Sequence, residues 1–391
     1  MTYYVRAGDV PPKRHTWHEG GDGRRLAEEL MGEEGFSGAS SLLYHRHSPS
    51  AITAVEPAPV ERSALRANHP LLPWHVQAPK LTSGGDPVTG RHVLLGNDDV
   101  TVCWVDADET SGLYRNAAGD ELVYVHSGQA VMESVFGTLT VSAGDYVVVP
   151  ASTTHRWLLP ERGALQALVL EANSHVTVPV RYLTATGQMR EGAPFSERDL
   201  RPPAGPLPVD DEGPAEVLVR GRQGWSRHRH AHHPFDVVGW DGCVYPFAFS
   251  IRDFEPIVGR THQPPPVHQT FAGRGFVVCS FVPRPFDFGA GAVKVPYHHA
   301  NVDSDEVLFY AGGDFMSRRG SGIGQGSLTL HPAGFVHGPQ PGSVEASVDA
   351  VRTEETAVMV DTFSPLLVSD AARSVVDADY PWSWARPAGG R

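Results

Sequence analysis

The sequence predicts an all-β protein with two small barrels, and three observations support this prediction. Glycine and proline contribute 41 and 33 of the 391 residues, which is more than usual and implies many turns. Runs of β-branched and aromatic residues between the turns are typical of short strands, as at 100–105, 146–149, 277–282 and 357–360. Such closely spaced short strands indicate a sandwich or a barrel. A motif also recurs in the two halves of the chain.

Composition argues against several classes of function. The chain has 32 Lys and Arg against 45 Asp and Glu, so its formal net charge is −13. Binding to nucleic acid or to an anionic membrane is therefore not expected, since both need clustered cations. We expect a cytoplasmic protein, because no apolar run could cross a bilayer and the N-terminus has no basic start followed by an apolar stretch. The three widely spaced cysteines are expected to be reduced.

Four segments follow one another along the chain. Residues 1–88 are rich in proline and are predicted to be an irregular N-terminal segment that packs on the barrels. Residues 89–178 are expected to form the first barrel, and 179–225, rich in Pro and Gly, to form a connection. Residues 226–391 are expected to form the second barrel. One helix is predicted at 23–31, where three apolar side chains recur at helical spacing.

The recurring motif ends in a histidine in each half. In the second half it reads G-x5-P-x-G-x2-H and ends at His337; in the first half the same frame ends at His155, with Ser152 in place of one glycine. An acid precedes each histidine at nearly the same separation, Glu306 and Glu121 respectively. Alternate side chains of a strand face a barrel lumen, and Pro and Gly favour a tight turn before the histidine. Each Glu and its His are therefore predicted to point to one place inside a barrel.

These motifs resemble those of the cupin superfamily, H-x-H-x4-E-x6-G followed by G-x5-P-x-G-x2-H, and two copies resemble a bicupin. In this frame the second half supplies His299, Glu306 and His337. Two histidines and one carboxylate suit a facial triad that binds Fe(II) and leaves positions for substrate and O2. Zn is compatible with these ligands but offers no redox chemistry. In the first half Tyr114 and Asn116 replace the two histidines of the frame, so we predict a first barrel without metal.

Within the bicupins the chain resembles the homogentisate 1,2-dioxygenase family, the ring-opening enzymes of tyrosine breakdown. The resemblance is strongest at 296–340, in PYHHAN (296–301), GSL (326–328) and HGP (337–339). Weaker matches are FDVVGWDG at 235–242 and YRN at 114–116. The resemblance implies Fe(II), O2 and a small para-dihydroxylated aromatic substrate, with homogentisate opened to maleylacetoacetate. It also implies a homo-oligomer, a trimer or hexamer.

The resemblance also implies roles for side chains around the metal. A histidine before a Pro-containing stretch is expected to deprotonate the ring hydroxyl; His262 fits best, with His268 as the alternative. Substrate contacts are expected from four residues: Tyr297, Asn301, Phe315 and His331. For His331, an orienting role behind a metal ligand is the alternative.

The chain departs from the family pattern in the substrate pocket. Gly312 and Phe315 stand where the family has an Arg and a Tyr, and Arg318 and Arg319 follow at positions to which we assign no role. A different hydroquinone or catechol-like ring therefore remains an alternative substrate. A metal cupin that is not an oxygenase, such as an isomerase or a binding protein, is a second alternative. The histidine-rich run 228–233 is expected to be a solvated or interface segment, because arginines interrupt it.

Overall fold

The computed structural model describes residues 3–161, 163–210, 213–318 and 320–385, and it confirms an all-β protein. Parts of the predicted connection (211 and 212) and of the predicted second barrel (319 and 386–391) lie outside the described residues. Neither α-helix in the described part, α1 (Ser343–Ala346) or α2 (Asp370–Ser374), is long and apolar enough to cross a membrane.

The strands are β1 (Val5–Gly8), β2 (Ala27–Gly32), β3 (Ser40–His45), β4 (Ile52–Pro57), β5 (Leu65–Arg66), β6 (Trp74–Gln77), β7 (His92–Gly96), β8 (Val100–Ala107), β9 (Leu113–Asn116), β10 (Glu121–Ser134), β11 (Gly137–Ser142), β12 (Asp145–Val149), β13 (His155–Leu158), β14 (Leu165–Ala172), β15 (Leu200–Arg201), β16 (Ala215–Gly221), β17 (Gly224–His230), β18 (Val237–Gly242), β19 (Phe247–Ser250), β20 (Gln269–Gly273), β21 (Phe276–Phe281), β22 (Arg284–Pro285), β23 (Asp305–Gly312), β24 (Ser327–His331), β25 (Arg352–Thr353), β26 (Thr356–Thr362) and β27 (Leu367–Ser369). Short 3-10 turns span Glu34–Phe36, Ala78–Lys80, Val180–Tyr182, Glu197–Asp199, Ile251–Asp253, Pro265–His268, Met316–Arg318 and Tyr380–Ala385.

The N-terminal segment is more regular than the sequence predicted, since it contributes β1–β6. The helix predicted at 23–31 is wrong: β2 begins at Ala27 and pairs antiparallel with β3 at the edge of a four-stranded sheet in the order β1-β18-β3-β2. Leu26 and Met31 are buried while Leu30 is exposed, so the apolar residues do not share one face. The hydrogen bonds offered by β3 outweigh the helical spacing.

The first barrel is built around the long strand β10, which pairs with β11, β12, β13 and β14. From the predicted connection, β16 extends the same sheet by pairing parallel with β9 and antiparallel with β17. The predicted connection therefore contributes a strand to the sheet of the first barrel.

The second barrel uses a six-stranded sheet in the order β20-β21-β26-β23-β24-β6. Its last strand, β6, comes from the N-terminal segment and pairs with β24. Conversely, β27 belongs to the second half of the chain but pairs with β7 and β5 in the sheet of the first barrel. Each half of the chain thus completes a sheet of the other.

The two barrels share one hydrophobic core. The rings of Trp104 and Phe309 lie 5.7 Å apart, and the Tyr146 hydroxyl and Ser280 Oγ form a hydrogen bond of 2.8 Å. Because side chains alternate along β23, Phe309 faces this core while Glu306 and Leu308 face the opposite side. The shared core therefore fixes the strand that carries Glu306.

In the first barrel, the guanidinium group of Arg91 binds Glu121, the acid of the motif. Both Nη atoms of Arg91 contact Glu121 at 3.0 Å, and Nη1 also contacts Glu171 at 2.9 Å. The Tyr114 hydroxyl and the Asn116 amide donate to Glu121 as well, at 2.6 and 3.0 Å. The residues that replace the two histidines of the cupin frame thus take part in a buried ionic network.

Candidate metal centre

Glu306, His299 and His337 meet in the second barrel. One ligand atom of each lies within 4.8 Å of the other two. Glu306 is on β23, and the two histidines face each other through paired backbone hydrogen bonds of 2.8 and 2.9 Å. Nε2 of His337 lies 3.3 Å from Glu306 Oε1, and Nε2 of His299 lies 3.5 Å from Oε2. The structure brings together the three residues proposed from the motif.

The backbone orients both imidazoles. Nδ1 of His299 lies 3.1 Å from the Tyr297 carbonyl, and Nδ1 of His337 lies 3.0 Å from the Phe335 carbonyl. A carbonyl only accepts, so each Nδ1 carries a proton, and in the neutral ring each Nε2 presents a lone pair. Both lone pairs are directed to the Glu306 carboxylate, and neutral imidazoles with this tautomer are suited to metal binding.

The surroundings of the cluster fit a cation. Nε2 of His337 is buried without a hydrogen-bond partner, and so is Oδ1 of Asp361. Asp361 stands opposite Glu306 in the β23–β26 register. Burial and the neighbouring Glu306 raise the pKa of Asp361 to about 7. A bound divalent cation would stabilise the Glu306 carboxylate, the unpartnered imidazole nitrogen of His337 and the second acid on the neighbouring strand.

Glu306 itself is held as a carboxylate. Its burial raises the pKa, but the neighbouring imidazoles, among them His331 with Nδ1 at 2.9 Å from Oε1, outweigh burial and hold the pKa well below its usual range. The group is therefore ionised and ready to act as a ligand.

His331 lies behind the cluster and does not line the cavity described below. Its Nδ1 contacts Glu306 Oε1 at 2.9 Å, and its ring stacks on His337 at 4.0 Å. Burial lowers the pKa of His331 to about 3, so the ring is neutral. This placement supports the orienting role over the expected substrate contact.

A cavity of about 370 Å³ opens beside the cluster, a size suited to small-molecule ligands. Tyr297, Asn301 and both candidate bases line it together with Glu306. Phe315 does not: its ring packs on Tyr310 at 5.1 Å, and it is buried away from the cavity. The structure therefore does not bring Phe315 to this cavity, and the backbone turns there with a φ of 39°.

The two candidate bases differ in environment. Nδ1 of His262 lies 3.9 Å from Asp287 Oδ2, and its ring meets Tyr297 edge-on at 5.1 Å. His268 is buried, and burial with the nearby Arg284 lowers its pKa to about 3. A base with so low a pKa is a weak proton acceptor at neutral pH, which favours His262.

Arg318 is the residue at this cavity to which the sequence assigned no role. It ends the 3-10 turn Met316–Arg318 and lines the cavity, although it is largely buried. Its Nε donates to the Tyr310 hydroxyl at 3.0 Å and its Nη1 to the Gly338 carbonyl at 2.5 Å. The structure thus places a fixed guanidinium at the wall of this cavity. Arg319 lies outside the described residues.

The histidine-rich run 228–233 is remote from this cavity. It crosses from β17 toward Asp236, where His47 and His232 stack at 4.0 Å beside a small separate cavity. Among residues 3–161, 163–210, 213–318 and 320–385, the cluster at Glu306 is the only group of three with metal-binding distances.

The chain is similar to several known proteins. The family described as homogentisate 1,2-dioxygenase, N-terminal, matches residues 89–251. A protein of Saccharolobus solfataricus, provisionally named a dioxygenase, is 40% identical over 98% of this chain and 99% of its own. Homogentisate 1,2-dioxygenase of Emericella nidulans is 24% identical over 68% of this chain, and the match spans 62% of that enzyme. A solved cupin-2 domain protein from Shewanella frigidimarina is 20% identical over 21% of this chain and 78% of its own, with a TM-score of 0.20.

These relatives indicate a dioxygenase, and the His–Glu–His cluster is its candidate metal site. The chain belongs to the homogentisate 1,2-dioxygenase family.

Proposed function

We propose that the protein is an Fe(II)-dependent dioxygenase that opens a para-dihydroxylated aromatic ring and inserts both atoms of O2. Homogentisate, opened to maleylacetoacetate, is the lead substrate. The observation that carries this proposal is the cluster of His299, Glu306 and His337 at one wall of a cavity large enough for a substituted ring.

The residues of the cluster would hold the metal through two Nε2 atoms and the Glu306 carboxylate. Fe(II) held by such a triad can bind both a ring oxygen and O2 and can exchange electrons with O2. His262 accepts the proton of the ring hydroxyl as the substrate binds, and Asp287, on the Nδ1 side, stabilises the imidazolium that forms. Tyr297 and Asn301 position the ring from the cavity wall.

Arg318 supports a substrate that carries a carboxylate. Two of its three guanidinium nitrogens are bound to protein acceptors, so the group is fixed in place before any ligand binds. A fixed guanidinium at a cavity wall matches a carboxylate in charge and geometry. This residue can replace the Arg that position 312 lacks, which favours homogentisate over a ring without an acidic side chain.

Oxygen uptake by the Fe(II)-loaded protein tests the proposal, with homogentisate, gentisate and plain hydroquinone compared in parallel. We expect uptake with homogentisate, matched mole for mole by the ultraviolet absorbance of a ring-opened product. Uptake with hydroquinone alone would support the proposed chemistry but refute the role of Arg318. No uptake with any of the three by protein that holds iron would refute ring cleavage of these substrates.

The Arg318→Met variant distinguishes a role of Arg318 in binding the acidic side chain of the substrate from a role in the fold alone. Loss of a charge-assisted hydrogen bond costs about 1.5 to 3 kcal/mol, so kcat/KM for homogentisate should fall roughly 10- to 100-fold. Hydroquinone serves as the control in the same variant, because it has no carboxylate. An equal loss for both substrates would show that Arg318 only supports the fold.

A further inference from the structure

The last 3-10 turn of the described chain, Tyr380–Ala385, packs behind the metal cluster; we call it the C-terminal turn. The Tyr380 hydroxyl lies 2.8 Å from Nε2 of His331, whose other nitrogen contacts Glu306. Tyr380 is buried, and its ring meets that of Trp384 at 5.2 Å. The turn therefore reaches the carboxylate ligand through one imidazole.

The order of these contacts fixes the tautomer of His331. A carboxylate that binds a metal can only accept, so the proton of His331 must lie on Nδ1, toward Glu306. Nε2 then presents a lone pair, which the Tyr380 hydroxyl satisfies as donor. Without this hydroxyl, the proton is free to move to Nε2. A lone pair on Nδ1 would then face the carboxylate at 2.9 Å and repel it.

A second contact joins the C-terminal turn to the histidine ligand. Nε1 of Trp384 donates to the Gly338 carbonyl at 3.0 Å, and this carbonyl also accepts from Arg318. Gly338 follows His337 directly, so the two donors fix the backbone that carries this imidazole. A side chain at position 338 would collide with His298, which shows how tightly the chain is packed there.

We propose that the C-terminal turn positions two of the three metal ligands: Tyr380 orients Glu306 through His331, and Trp384 holds the backbone of His337. Both are positioning residues, because neither touches the cavity. This inference rests on the metal site of the proposed function but not on its substrate.

Cobalt(II) binding tests this proposal without any turnover. The affinity of the full-length protein for Co(II) is measured by competition with a chelator, and the visible d–d spectrum reports the coordination geometry. We expect Tyr380→Phe and Trp384→Phe to keep one metal per chain but to lower the affinity about 10- to 100-fold, as for other partners of metal ligands. The spectrum should change in Tyr380→Phe.

Trp382→Phe is the matched control, since Trp382 lies in the same turn but is 59% exposed. It should bind Co(II) as the wild type does. Tyr380→Phe should also have no further effect in a His331→Leu background, because Tyr380 acts through that ring. Unchanged affinity in both test variants, or an equal loss in Trp382→Phe, would overturn the proposal. If the wild type binds Co(II) as expected but has no dioxygenase activity when it is loaded with Fe(II), only the proposed function is refuted.

Discussion

At the scale of single residues, Glu306 receives contacts from three imidazoles, and two of these offer lone pairs. His299 and His337 point Nε2 at the carboxylate, whereas His331 contacts it through Nδ1. The arrangement leaves Glu306 as the one ionised oxygen ligand of the cluster. Substitution of Glu306 should therefore lower the metal content of the protein more than substitution of any other acid near the cavity.

We expect Glu306→Gln to hold less than roughly one tenth of a metal ion per chain, because an amide oxygen is a poor substitute for a charged ligand. Metal content after anaerobic purification, measured by mass spectrometry, checks this. Glu355→Gln is the control: Glu355 lines the same cavity but lies outside the cluster, so its metal content should equal that of the wild type. Full metal occupancy in Glu306→Gln would refute the ligand assignment.

His262→Phe should keep the metal but slow turnover roughly 10²- to 10⁴-fold, the usual contribution of general base catalysis. The steady-state kcat and the metal content of the same sample check this. His268→Phe is the matched control, since His268 lines the same cavity with a ring against Phe281. If instead His268→Phe is slow and His262→Phe is not, the base is His268.

The motif predicted only those site residues whose side-chain direction is fixed by their spacing along a strand. His299, Glu306 and His337 lie in or beside paired strands, so their sequence separation fixes where they point. Phe315 and Arg318 lie in an irregular stretch and a 3-10 turn after β23, where no period relates position to direction. No local pattern could show that Phe315 turns away and Arg318 turns in, because packing against Tyr310 decides both.

At the scale of elements, one imidazole ties the four-stranded sheet together. His45 on β3 contacts Glu29 on β2 at 3.0 Å and Asp236, next to β18, at 2.7 Å. Burial lowers the pKa of His45, but these two carboxylates outweigh burial and raise it to about 9. The imidazolium is therefore the charge that balances two acids at this sheet.

The stabilisation by His45 should depend on pH. Its pKa is higher in the folded protein, so its contribution is complete below about pH 6.5 and is lost as the pH rises through about 9. The loss should be at most about 3 kcal/mol. Urea unfolding of wild type and His45→Gln from pH 6 to 10 checks this, and the two curves should converge above pH 9. A difference that stays constant with pH would contradict it; the exposed His15→Gln is the control.

The strand β2 shows why an edge element is hard to predict. Its residues are mostly polar or half exposed, so a few apolar side chains dominate any periodicity. Three apolar positions have the spacing of a helix, yet β3 offers β2 a strand with which to pair, and the local sequence does not reveal this. The strands β8, β21 and β26 were predicted because each contains a buried run of β-branched residues, which is typical of a strand inside a sheet.

At the scale of the whole molecule, each barrel has two acids on neighbouring strands, and the two barrels surround these acids with different side chains. Each places two acids in register on neighbouring strands, Glu121 with Glu171 and Glu306 with Asp361. Arg91 bridges the first pair. No guanidinium bridges the second pair among the described residues, and the histidines gather there instead. The sequence frame predicted this difference but could not supply Arg91, which lies outside the motif.

Arg91→Met should therefore destabilise the protein by about 3 to 5 kcal/mol, because it leaves a buried carboxylate without its partner. Metal content should not change, since Arg91 belongs to the first barrel. Urea unfolding and metal analysis of the same sample check both statements. Arg66→Met is the control: its ion pair with Asp370 is exposed, so its removal should destabilise the protein far less. A loss no larger than that of the control would show that the network is dispensable.

The exchange of β6 and β27 between the halves limits how this chain can be divided. A fragment that ends before β27 would leave an edge of the first sheet unpaired, and one that begins after β6 would do the same to the second. A complete single barrel could therefore not be obtained by cutting the gene between the two copies of the motif. To produce the half with the His–Glu–His cluster alone, β6 would have to be joined to it, for example by circular permutation.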